Sequence, residues 1–519
     1  MEHTAQAFSH ELRSWLRLAD RVLTGVEKVA WQLRELAESS TQAATEGLRR
    51  GRDGSDRLQT QGRAFGTRLT RLRRTTTSLS RIALDYRLHS FSAAFTSRRH
   101  AARRLRRLHR RSARRFTRLS GEQGGAFLKV GQLLSARADI LPAAWIAELS
   151  TLQDAAPALA FERLRPLVED SLGAPLERLF HHVDPTPVAA ASIGQVHRAV
   201  THGGHEVAVK IQRPGVVAVV EDDLELLALF VDALRDGLPP ADYGTIVTEV
   251  RSAVRAELDY AEERFVTARM AEAFEGVAGI VVPRPLDALS GSAVLTTEFI
   301  EGQKLSVALD GLSAKRAAGD VAAAAELDRL LGRLLEAYLR QVLHIGLFQA
   351  DPHPGNFLVT DDGDLCLLDF GCHKTIDRER RRSYVQLLTA ILGRDRDAAE
   401  ALYERLGFRT ESGAPDTLHA FADALLSELA DAAKGQLRWP DRDALLARMR
   451  ALGAALERDP VRKLPPEFVM IGRVFATLGG LFAHYRPDID MVRHVFPVLS
   501  LALADSRAAC AAAGPATSA

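Results

Sequence analysis

Two short loops late in the chain carry side chains suited to phosphate chemistry. In the first, the amide of Asn356 lies five positions after the carboxylate of Asp351. The second is Asp369-Phe370-Gly371, and a predicted hairpin of strand, Asp-Asp-Gly turn and strand separates the two loops. This spacing places Asn356 and Asp369 at the mouth of one cleft, where their oxygens can hold magnesium against phosphate oxygens. Asp351 would face the acceptor as a base or orient a water.

A lysine on a predicted strand extends this set. Residues 188–210 read as three strands around a small-residue loop and a Thr-His-Gly-Gly turn, and the third strand ends at Lys210. In protein kinases such a lysine binds the α- and β-phosphates and precedes the two loops. The sequence therefore predicts an α+β, bilobal protein-kinase-like fold, with a small β-rich N-lobe, a helical C-lobe and an added N-terminal helical extension.

A kinase fold also needs a glutamate for this lysine and a hinge for the adenine base. One predicted helix offers Glu249, Glu257, Glu262 and Glu263, and spacing alone does not choose among them. Val294–Gly302 reads as a strand entering a hinge, where the backbone of Glu298–Ile300 would hydrogen-bond adenine. Helices predicted at 322–347, 381–394 and 397–406 would build the C-lobe.

The first 120 residues form a basic arm on an acidic body. The whole chain has a net charge of +2, but arginine is in large excess in this arm and acid is in excess elsewhere. Such asymmetry favours a separate partner for the arm. An apolar stripe from Leu12 to Leu36 predicts a helix that packs within the protein, on lipid, or on a second copy in a homodimer. A linker is expected at 41–64, and a second helical pattern begins at Phe65.

Residues 98–118 predict a basic amphipathic helix. Its narrow seam and its charged surface consist of the following residues: Ala101, Leu105, Leu108, Ser112, Phe116 and Leu119, and then Arg103, Arg104, Arg106, Arg107, Arg110, Arg111, Arg114, Arg115 and Arg118. An anionic membrane surface suits this helix, at about 1 kcal/mol per basic residue. Pairing with the acidic body is the alternative. Nucleic acid is disfavoured because no aromatic residues interleave with the arginines.

The composition bears on the compartment. The three cysteines form no Cys-x-x-Cys pair, which favours a reducing compartment over a disulfide framework or a thiolate metal site. The first residues lack the apolar region of a signal peptide, and no run reaches the roughly 18 apolar residues that a spanning helix needs. We therefore expect a cytoplasmic protein, with any membrane attachment peripheral and at the inner face.

Four further motifs resemble the UbiB/ABC1 family of atypical kinases, which includes AarF. They are Lys129-Val130-Gly131-Gln132, Leu152-Gln153-Asp154 followed by Pro157, the alanine-rich stretch Ala189–Val196, and Glu257-Leu258-Asp259-Tyr260 followed by Glu263. The segment 464–490 also resembles the C-terminal helices of the family. The resemblance covers roughly residues 120–490.

The resemblance implies roles for individual residues. Lys210 and Glu263 would form the ion pair of the nucleotide lobe. Lys129 and Gln132 would lie over the cleft as a regulatory gate, with Lys129 paired to Glu257. An alanine-rich loop would replace the glycine-rich loop over the phosphates, contributing Ala189, Ala190, Ala191, Ser192 and Gly194. Alanine narrows backbone freedom there, because it cannot adopt a positive φ without strain.

The resemblance also implies an activity. It is that of an ATPase, or of a lipid or small-molecule kinase, with ATP or ADP and Mg²⁺ as cofactors and an isoprenoid lipid or quinone precursor as partner. Family members support ubiquinone biosynthesis at a membrane. A kinase for a protein or small-molecule acceptor and a nucleotide-gated scaffold without turnover are the alternatives.

The predicted organisation has five parts. They are a basic extension (1–120), a helical segment over the cleft (121–185), an N-lobe with inserted helices (186–302), a helical C-lobe (303–505) and a disordered tail (506–519).

Overall fold

The computed structural model describes most of the chain in two compact units. The described residues are 71–135 (except 72, 87, 90, 91 and 93–95), 141–152, 157–234, 243–420, 422–423, 436–438, 447, 451–456 and 458–512. The first unit contains Pro185–His197, Ile211–Leu258 and the described residues up to Leu167, and the second contains Val168–Asp184, Arg198–Lys210 and those from Asp259 onward. The predicted stripe Leu12–Leu36, the linker 41–64 and the start of the pattern at Phe65 lie outside the described residues.

A helix at residues 73–86 precedes the labelled elements. Up to residue 258 these are α1 (Arg98–Gln123), α2 (Gly125–Ser135), α3 (Ala143–Leu149), α4 (Arg165–Leu172), α5 (Leu176–Leu179), β1 (His182–Ala190), β2 (Gly194–Val200), β3 (Glu206–Gln212), α6 (Val216–Leu234) and α7 (Tyr243–Ala256). The elements that follow are α8 (Tyr260–Ala273), β4 (Ile280–Val281), β5 (Val294–Glu298), β6 (Gln303–Lys304), α9 (Leu305–Ala317), α10 (Val321–Leu339), β7 (Leu347–Gln349), β8 (Phe357–Val359), β9 (Leu365–Leu367), β10 (His373–Thr375), α11 (Arg378–Leu392), α12 (Arg396–Leu406), β11 (Arg409–Thr410), β12 (Gln436–Arg438), β13 (Val461–Lys463), α13 (Pro466–Tyr485), β14 (Asp488–Asp490), α14 (Met491–His494) and α15 (Phe496–Ala512).

Local sequence signals set several helix ends. Asp259 caps the start of α8, and its side chain accepts a hydrogen bond from the Glu262 amide at 3.0 Å. Aspartates cap α10, α11 and α12 in the same way. An aspartate at this position satisfies an amide that the helix cannot pair internally. Gly124 separates α1 from α2 with a φ of 61°, which glycine adopts without strain. Helix α15 continues to Ala512, into the segment assigned to the tail.

Two four-stranded sheets carry the loops of interest. The first has the order β1-β2-β3-β5, and the second has the order β4-β9-β8-β6. The hairpin predicted between the Asp351 and Asp369 loops is present as β8 and β9, with Phe357 opposite Leu367. Gly363 supplies the positive φ of 80° that its turn requires. Both loops are thereby fixed to one sheet.

A core of aliphatic and aromatic side chains holds the second unit together. Helix α10 runs through it, with Leu327, Leu331 and Tyr338 fully buried. The helix continues as a π-helical segment, Arg340–Ile345, and ends at Gly346 in the left-handed region. Such a wide turn often lies next to a functional site, and here it precedes strand β7 and the Asp351 loop. No helix in the described part of the chain is both long and apolar enough to cross a bilayer.

Candidate active site

The side chain of Lys210 meets two acidic residues that are distant in sequence. Its Nζ donates to Glu263 Oε1 at 2.6 Å and to Asp369 Oδ2 at 3.3 Å. Strand β3 places the lysine and helix α8 places Glu263, which is 2% exposed. Burial alone would lower the pKa of Lys210, but the negative charges of Asp369 and Glu263 outweigh it and hold that pKa well above its usual range. The ammonium is therefore charged at any physiological pH.

The aromatic ring of Tyr260 packs against the Lys210 ammonium. Its ring lies 5.1 Å from Lys210 Nζ, within the range of a cation–π contact. Tyr260 is 1% exposed and occupies the first turn of α8, one turn before Glu263. Of the other glutamates considered, Glu257 pairs with Lys129 at 3.1 Å and Glu262 lies 3.6 Å from His373. The side chain of Glu249 lies outside the described residues.

Asp369 has an uncommon backbone conformation. Its φ is 54°, in the left-handed region that non-glycine residues seldom occupy. Its Oδ1 accepts a hydrogen bond from the Gly371 amide at 3.1 Å, which stabilises the turn locally. The side chain remains 43% exposed although it contacts Lys210. A strained backbone that presents an accessible carboxylate is frequent at functional positions.

The side chain of Gln349 supports this strained turn. Its Nε2 donates to the carbonyls of Leu368 at 2.7 Å and Asp369 at 2.5 Å. Its Oε1 accepts from the Tyr338 hydroxyl at 2.6 Å, and its backbone amide donates to Gln341 Oε1 at 2.8 Å. Gln349 is 1% exposed, so these bonds form away from water. Gln349 was not among the residues predicted for the site, although a lone amide in the apolar run Leu347–Ala350 was a usable signal.

Asn356 is positioned next to Asp369 by the backbone. The amide of Leu368 donates to the carbonyl of Asn356 at 2.9 Å, and Asn356 Nδ2 donates to the carbonyl of Asp351 at 3.1 Å. The second bond holds the Nδ2 end of the side-chain amide against the Asp351 backbone. The other end of the amide, Oδ1, carries lone pairs that suit a cation. An amide oxygen and a carboxylate, completed by water and phosphate oxygens, form a donor set that Mg²⁺ prefers. The residues present therefore fit the magnesium ion that the sequence predicted.

Asp351 is engaged by an arginine that the sequence analysis did not assign to the site. Arg473 Nη2 donates to Asp351 Oδ1 at 2.8 Å from helix α13. The two side chains are 10% and 24% exposed, so water screens the charges only partly. The arginine fixes the direction of the carboxylate and compensates its charge. Nothing in the local sequence around Asp351 could identify this partner.

The predicted hinge follows strand β5. The amide of Glu298 donates to the Arg284 carbonyl at 2.9 Å, and the amide of Phe299 donates to the Glu206 carbonyl at 3.2 Å. Those two donors are already used by the protein. The Glu298 carbonyl accepts from the Thr297 hydroxyl at 3.3 Å, and a carbonyl oxygen has a second lone pair. This carbonyl and the Ile300 amide therefore stay the predicted contacts for an adenine base.

The alanine-rich loop belongs to the first unit. Strand β1 ends at Ala190, and the Ala191 amide donates to the Gly194 carbonyl at 2.8 Å, which closes a tight turn. Ser192 is 6% exposed. Ala189, the remaining predicted loop residue, lies near the end of β1. The loop is thus a short closed turn at the end of a strand.

The Lys129 motif also belongs to the first unit. Lys129 on α2 and Glu257 after α7 form an ion pair whose side chains are 12% and 13% exposed. A Cβ added at Gly131 would lie 2.3 Å from Leu152 Cδ1, so the glycine permits close packing of the Leu152 motif. The side chain of Gln132 lies outside the described residues. The first two family motifs therefore touch each other directly.

The apolar seam of helix α1 packs within the protein. Leu108, Phe116 and Leu119 of its seam are buried at 9%, 1% and 4% exposure, packed in a cluster with Tyr86 and Trp145. A seam buried in protein cannot insert into lipid, so any membrane contact must use the charged face alone.

The arginines of α1 divide into two sets. Arg111 and Arg115 pair with Asp85, and Arg114 pairs with Glu148. Of the nine arginines predicted to form the charged surface, the other six have no ion pair within the described part of the chain, namely Arg103, Arg104, Arg106, Arg107, Arg110 and Arg118. Seven arginines line an open groove of about 410 Å³ along the helix: Arg106, Arg107, Arg110, Arg111, Arg114, Arg115 and Arg118. Within the residues that the structure describes, intramolecular pairing therefore accounts for only part of the charge.

The order of elements and this site define a protein-kinase-like α+β fold. The model of the ABC1 atypical kinase-like domain matches residues 151–403. "Protein ACTIVITY OF BC1 COMPLEX KINASE 7, chloroplastic" of Arabidopsis thaliana is 31% identical over 72% of this chain and 52% of its own length. "Uncharacterized protein sll0095" of Synechocystis is 31% identical over 73% of this chain and 67% of its own length. This chain belongs to the ABC1 family of atypical kinase-like proteins.

A solved structure supports the fold. Rv3197 from Mycobacterium tuberculosis, determined in complex with erythromycin, matches with a TM-score of 0.51 and 24% identity, over 73% of this chain and 92% of that one. The predicted family and fold class are both confirmed. The chain spans about half the length of the first curated relatives, for example 52% and 53% of two of them.

Proposed function

We propose that this chain binds a magnesium-bound adenine nucleotide and catalyses phosphoryl transfer, to water or to a small acceptor. The observation that carries the proposal is the contact of Lys210 with Glu263 and Asp369. These two acidic residues lie 53 and 159 positions after the lysine in the chain. Neither packing nor solubility requires a charged lysine between two carboxylates at a half-buried position. Kinase-like enzymes use such a lysine to hold nucleotide phosphates.

Each residue has a separate task in this proposal. Lys210 would neutralise the α- and β-phosphates, and Glu263 holds the ammonium in place. Asp369 and Asn356 would hold Mg²⁺, which when bound neutralises charge on the transferring phosphate. Asp351 would orient the attacking hydroxyl or water. The alanine-rich loop residues Ala189–Gly194, together with the hinge residues Glu298 and Ile300, are the proposed contacts to the phosphates and the base.

The acceptor and the location form the second part of the proposal. We infer an acceptor or effector among isoprenoid lipids and quinone precursors, because of the family resemblance. The α1 face supports attachment at an anionic surface: six of its arginines lack an ion-pair partner among the described residues, and its groove is lined by arginines alone. Attachment of this kind would be electrostatic, which is consistent with a buried seam.

Phosphate release from Mg-ATP tests the enzymatic proposal. The purified protein is assayed with and without vesicles that contain anionic lipid, beside Asp369→Asn. Asparagine keeps an oxygen that accepts from the Gly371 amide, so the turn is retained while the negative charge is lost. We expect release in the parent chain, stimulation by anionic vesicles, and loss in the variant. Asp362→Asn, an exposed change in the β8–β9 turn, is the matched control and should leave the rate unchanged.

One observation favours a second candidate, a nucleotide-gated scaffold without turnover. The carboxylate of Asp351 already accepts a hydrogen bond from Arg473 through Oδ1, so one of its two oxygens is held by the protein rather than by an acceptor. Nucleotide binding without phosphate release in the same assay would support the scaffold. Normal release in Asp369→Asn would refute the proposed metal site.

A further inference from the structure

Arg213 makes three hydrogen bonds around the alanine-rich loop. Its backbone amide donates to the Ile193 carbonyl at 2.8 Å, its Nε to the Ala191 carbonyl at 2.8 Å and its Nη2 to the Pro157 carbonyl at 2.6 Å. The arginine follows strand β3 directly. One side chain thus ties the loop to the segment that begins at Pro157, which ends the second family motif.

Gln195 makes a second connection between the same two segments. Its Oε1 accepts from the Leu159 amide at 2.9 Å, and its Nε2 donates to the Leu159 carbonyl at 3.0 Å. Gln195 is 1% exposed. Its Nε2 also lies 2.9 Å from Nε2 of His197, which is fully buried. The side-chain amide of Gln195 therefore pairs with both backbone groups of Leu159, as a neighbouring strand would, beside the alanine-rich loop.

These contacts make the alanine-rich loop more rigid than a flexible phosphate-binding loop. A hydrogen bond from a charged donor is roughly twice as strong as one between neutral groups. Arg213 directs two such bonds to carbonyls on either side of the connection, and the turn is already closed by its own Ala191–Gly194 bond. The geometry of the loop is consequently fixed before any ligand arrives.

We propose that Arg213 is a positioning residue that locks the alanine-rich loop in one conformation and couples it to the 157–161 segment. This inference rests on the proposed function, because the locked loop serves phosphate binding. It assigns the arginine no contact with nucleotide. The loop would then respond to changes in the 157–161 segment, rather than moving independently.

The test compares Arg213→Ala and Arg213→Lys with the full chain. A lysine keeps the positive charge and can donate to one carbonyl, but its single nitrogen cannot span both carbonyls as Nε and Nη2 of arginine do, so it should retain part of the effect. Arg163→Ala is the matched control, because Arg163 lies close in sequence to the coupled segment and is exposed. Hydrogen–deuterium exchange without nucleotide is measured at residues 188–195 and 157–161, and Mg-ADP affinity is measured by titration.

We expect exchange at both segments to rise at least tenfold in Arg213→Ala, less in Arg213→Lys, and not in the control. Mg-ADP affinity should fall most in Arg213→Ala, less in Arg213→Lys and not in the control. The fall for the alanine variant should be roughly tenfold, which corresponds to the loss of about one hydrogen bond. Unchanged exchange in both variants would overturn the lock. Faster exchange with unchanged Mg-ADP affinity would overturn the positioning role.

The two parts of the experiment separate this inference from the proposed function. If the full chain binds no nucleotide, the proposed function fails, while the exchange measurement still decides whether Arg213 locks the loop. If Arg213→Ala does not fold, the lysine variant and the control supply the comparison, and equal exchange in those two refutes the lock.

Discussion

Arg473 donates to the carboxylate of Asp351 from a helix 122 residues further along the chain. The carboxylate sits in the loop that the sequence marked for phosphate chemistry, and the arginine sits within helix α13. Their 2.8 Å contact is largely shielded from water. A C-terminal helix thereby supplies a cation to the proposed catalytic loop.

Replacing Arg473 should reduce turnover more than binding. Arg473→Met removes the group that directs Asp351. We expect the phosphate-release rate to fall roughly tenfold to hundredfold, less than the roughly 10²–10⁴-fold effect of losing an acid or base itself, because Asp351 remains. Mg-ADP affinity should change less than threefold. Steady-state kinetics and nucleotide titration measure the two effects. A rate equal to that of the parent chain would show that the ion pair is only structural.

Gln349→Leu should weaken magnesium binding. The leucine leaves the carbonyls of Leu368 and Asp369 without a buried donor, which costs about 1–3 kcal/mol of the free energy of unfolding. The strained φ of Asp369 loses its support, so the magnesium concentration for half-maximal nucleotide binding should rise several-fold. Gln303→Leu, an exposed change on β6, serves as the control. A lower melting temperature with unchanged magnesium dependence would contradict the positioning role.

The Lys129–Glu257 pair should behave as a buried ion pair. Lys129→Met removes the cation that pairs with Glu257 and should lower the free energy of unfolding by roughly 3 kcal/mol. Adding Glu257→Met should recover part of that loss, because two apolar side chains then pack against each other. Chemical denaturation measures both variants. Equal destabilisation by the single and the double change would show that the partners do not interact.

Asp223 should make stability depend on pH. Burial raises its pKa to about 6, although the Arg71 guanidinium at 2.5 Å opposes that shift. An acid whose folded pKa is raised takes up its proton in the folded state first, so stability increases as the pH falls through 6 and levels off below the ordinary value near 4. The gain should be about 2–3 kcal/mol.

The Asp223→Asn variant isolates this contribution. Thermal or denaturant unfolding is followed from pH 7.5 to pH 4.5 in both proteins. We expect the variant to be at least as stable as the parent chain at pH 7.5 and to lack the gain on acidification. Parallel stability curves would show that Asp223 does not titrate in this window.

The two sets of arginines on α1 provide a test of surface attachment. Changing Arg106, Arg107, Arg110 and Arg118 to glutamine should abolish sedimentation with anionic vesicles. Changing Arg111, Arg114 and Arg115 should have a smaller effect on binding and a larger one on stability, because these three are already paired. Binding by the parent chain should decline steeply between 0.1 and roughly 0.5 M salt. Salt-independent binding would indicate insertion and contradict the buried seam.

The sequence alone determined the features that depend on local spacing. The Asp351–Asn356 interval, the β8–β9 hairpin and the third-strand Lys210 follow from turn chemistry and alternation, and the family motifs added the choice of Glu263. These patterns are short in sequence, so a single chain displays them. Helix bounds were close for the same reason, although the π-helical segment after α10 was not visible in the apolar periodicity.

Only the tertiary structure decided which distant groups meet. Arg473 reaches Asp351, Gln349 supports Asp369, and Arg213 reaches Pro157 because separate elements pack together, and no local pattern encodes such neighbours. The same holds for α1: its seam reads equally as a lipid-facing or a protein-facing stripe. An amphipathic pattern records that one face is apolar, whereas the packing partner depends on how the rest of the chain buries its surface.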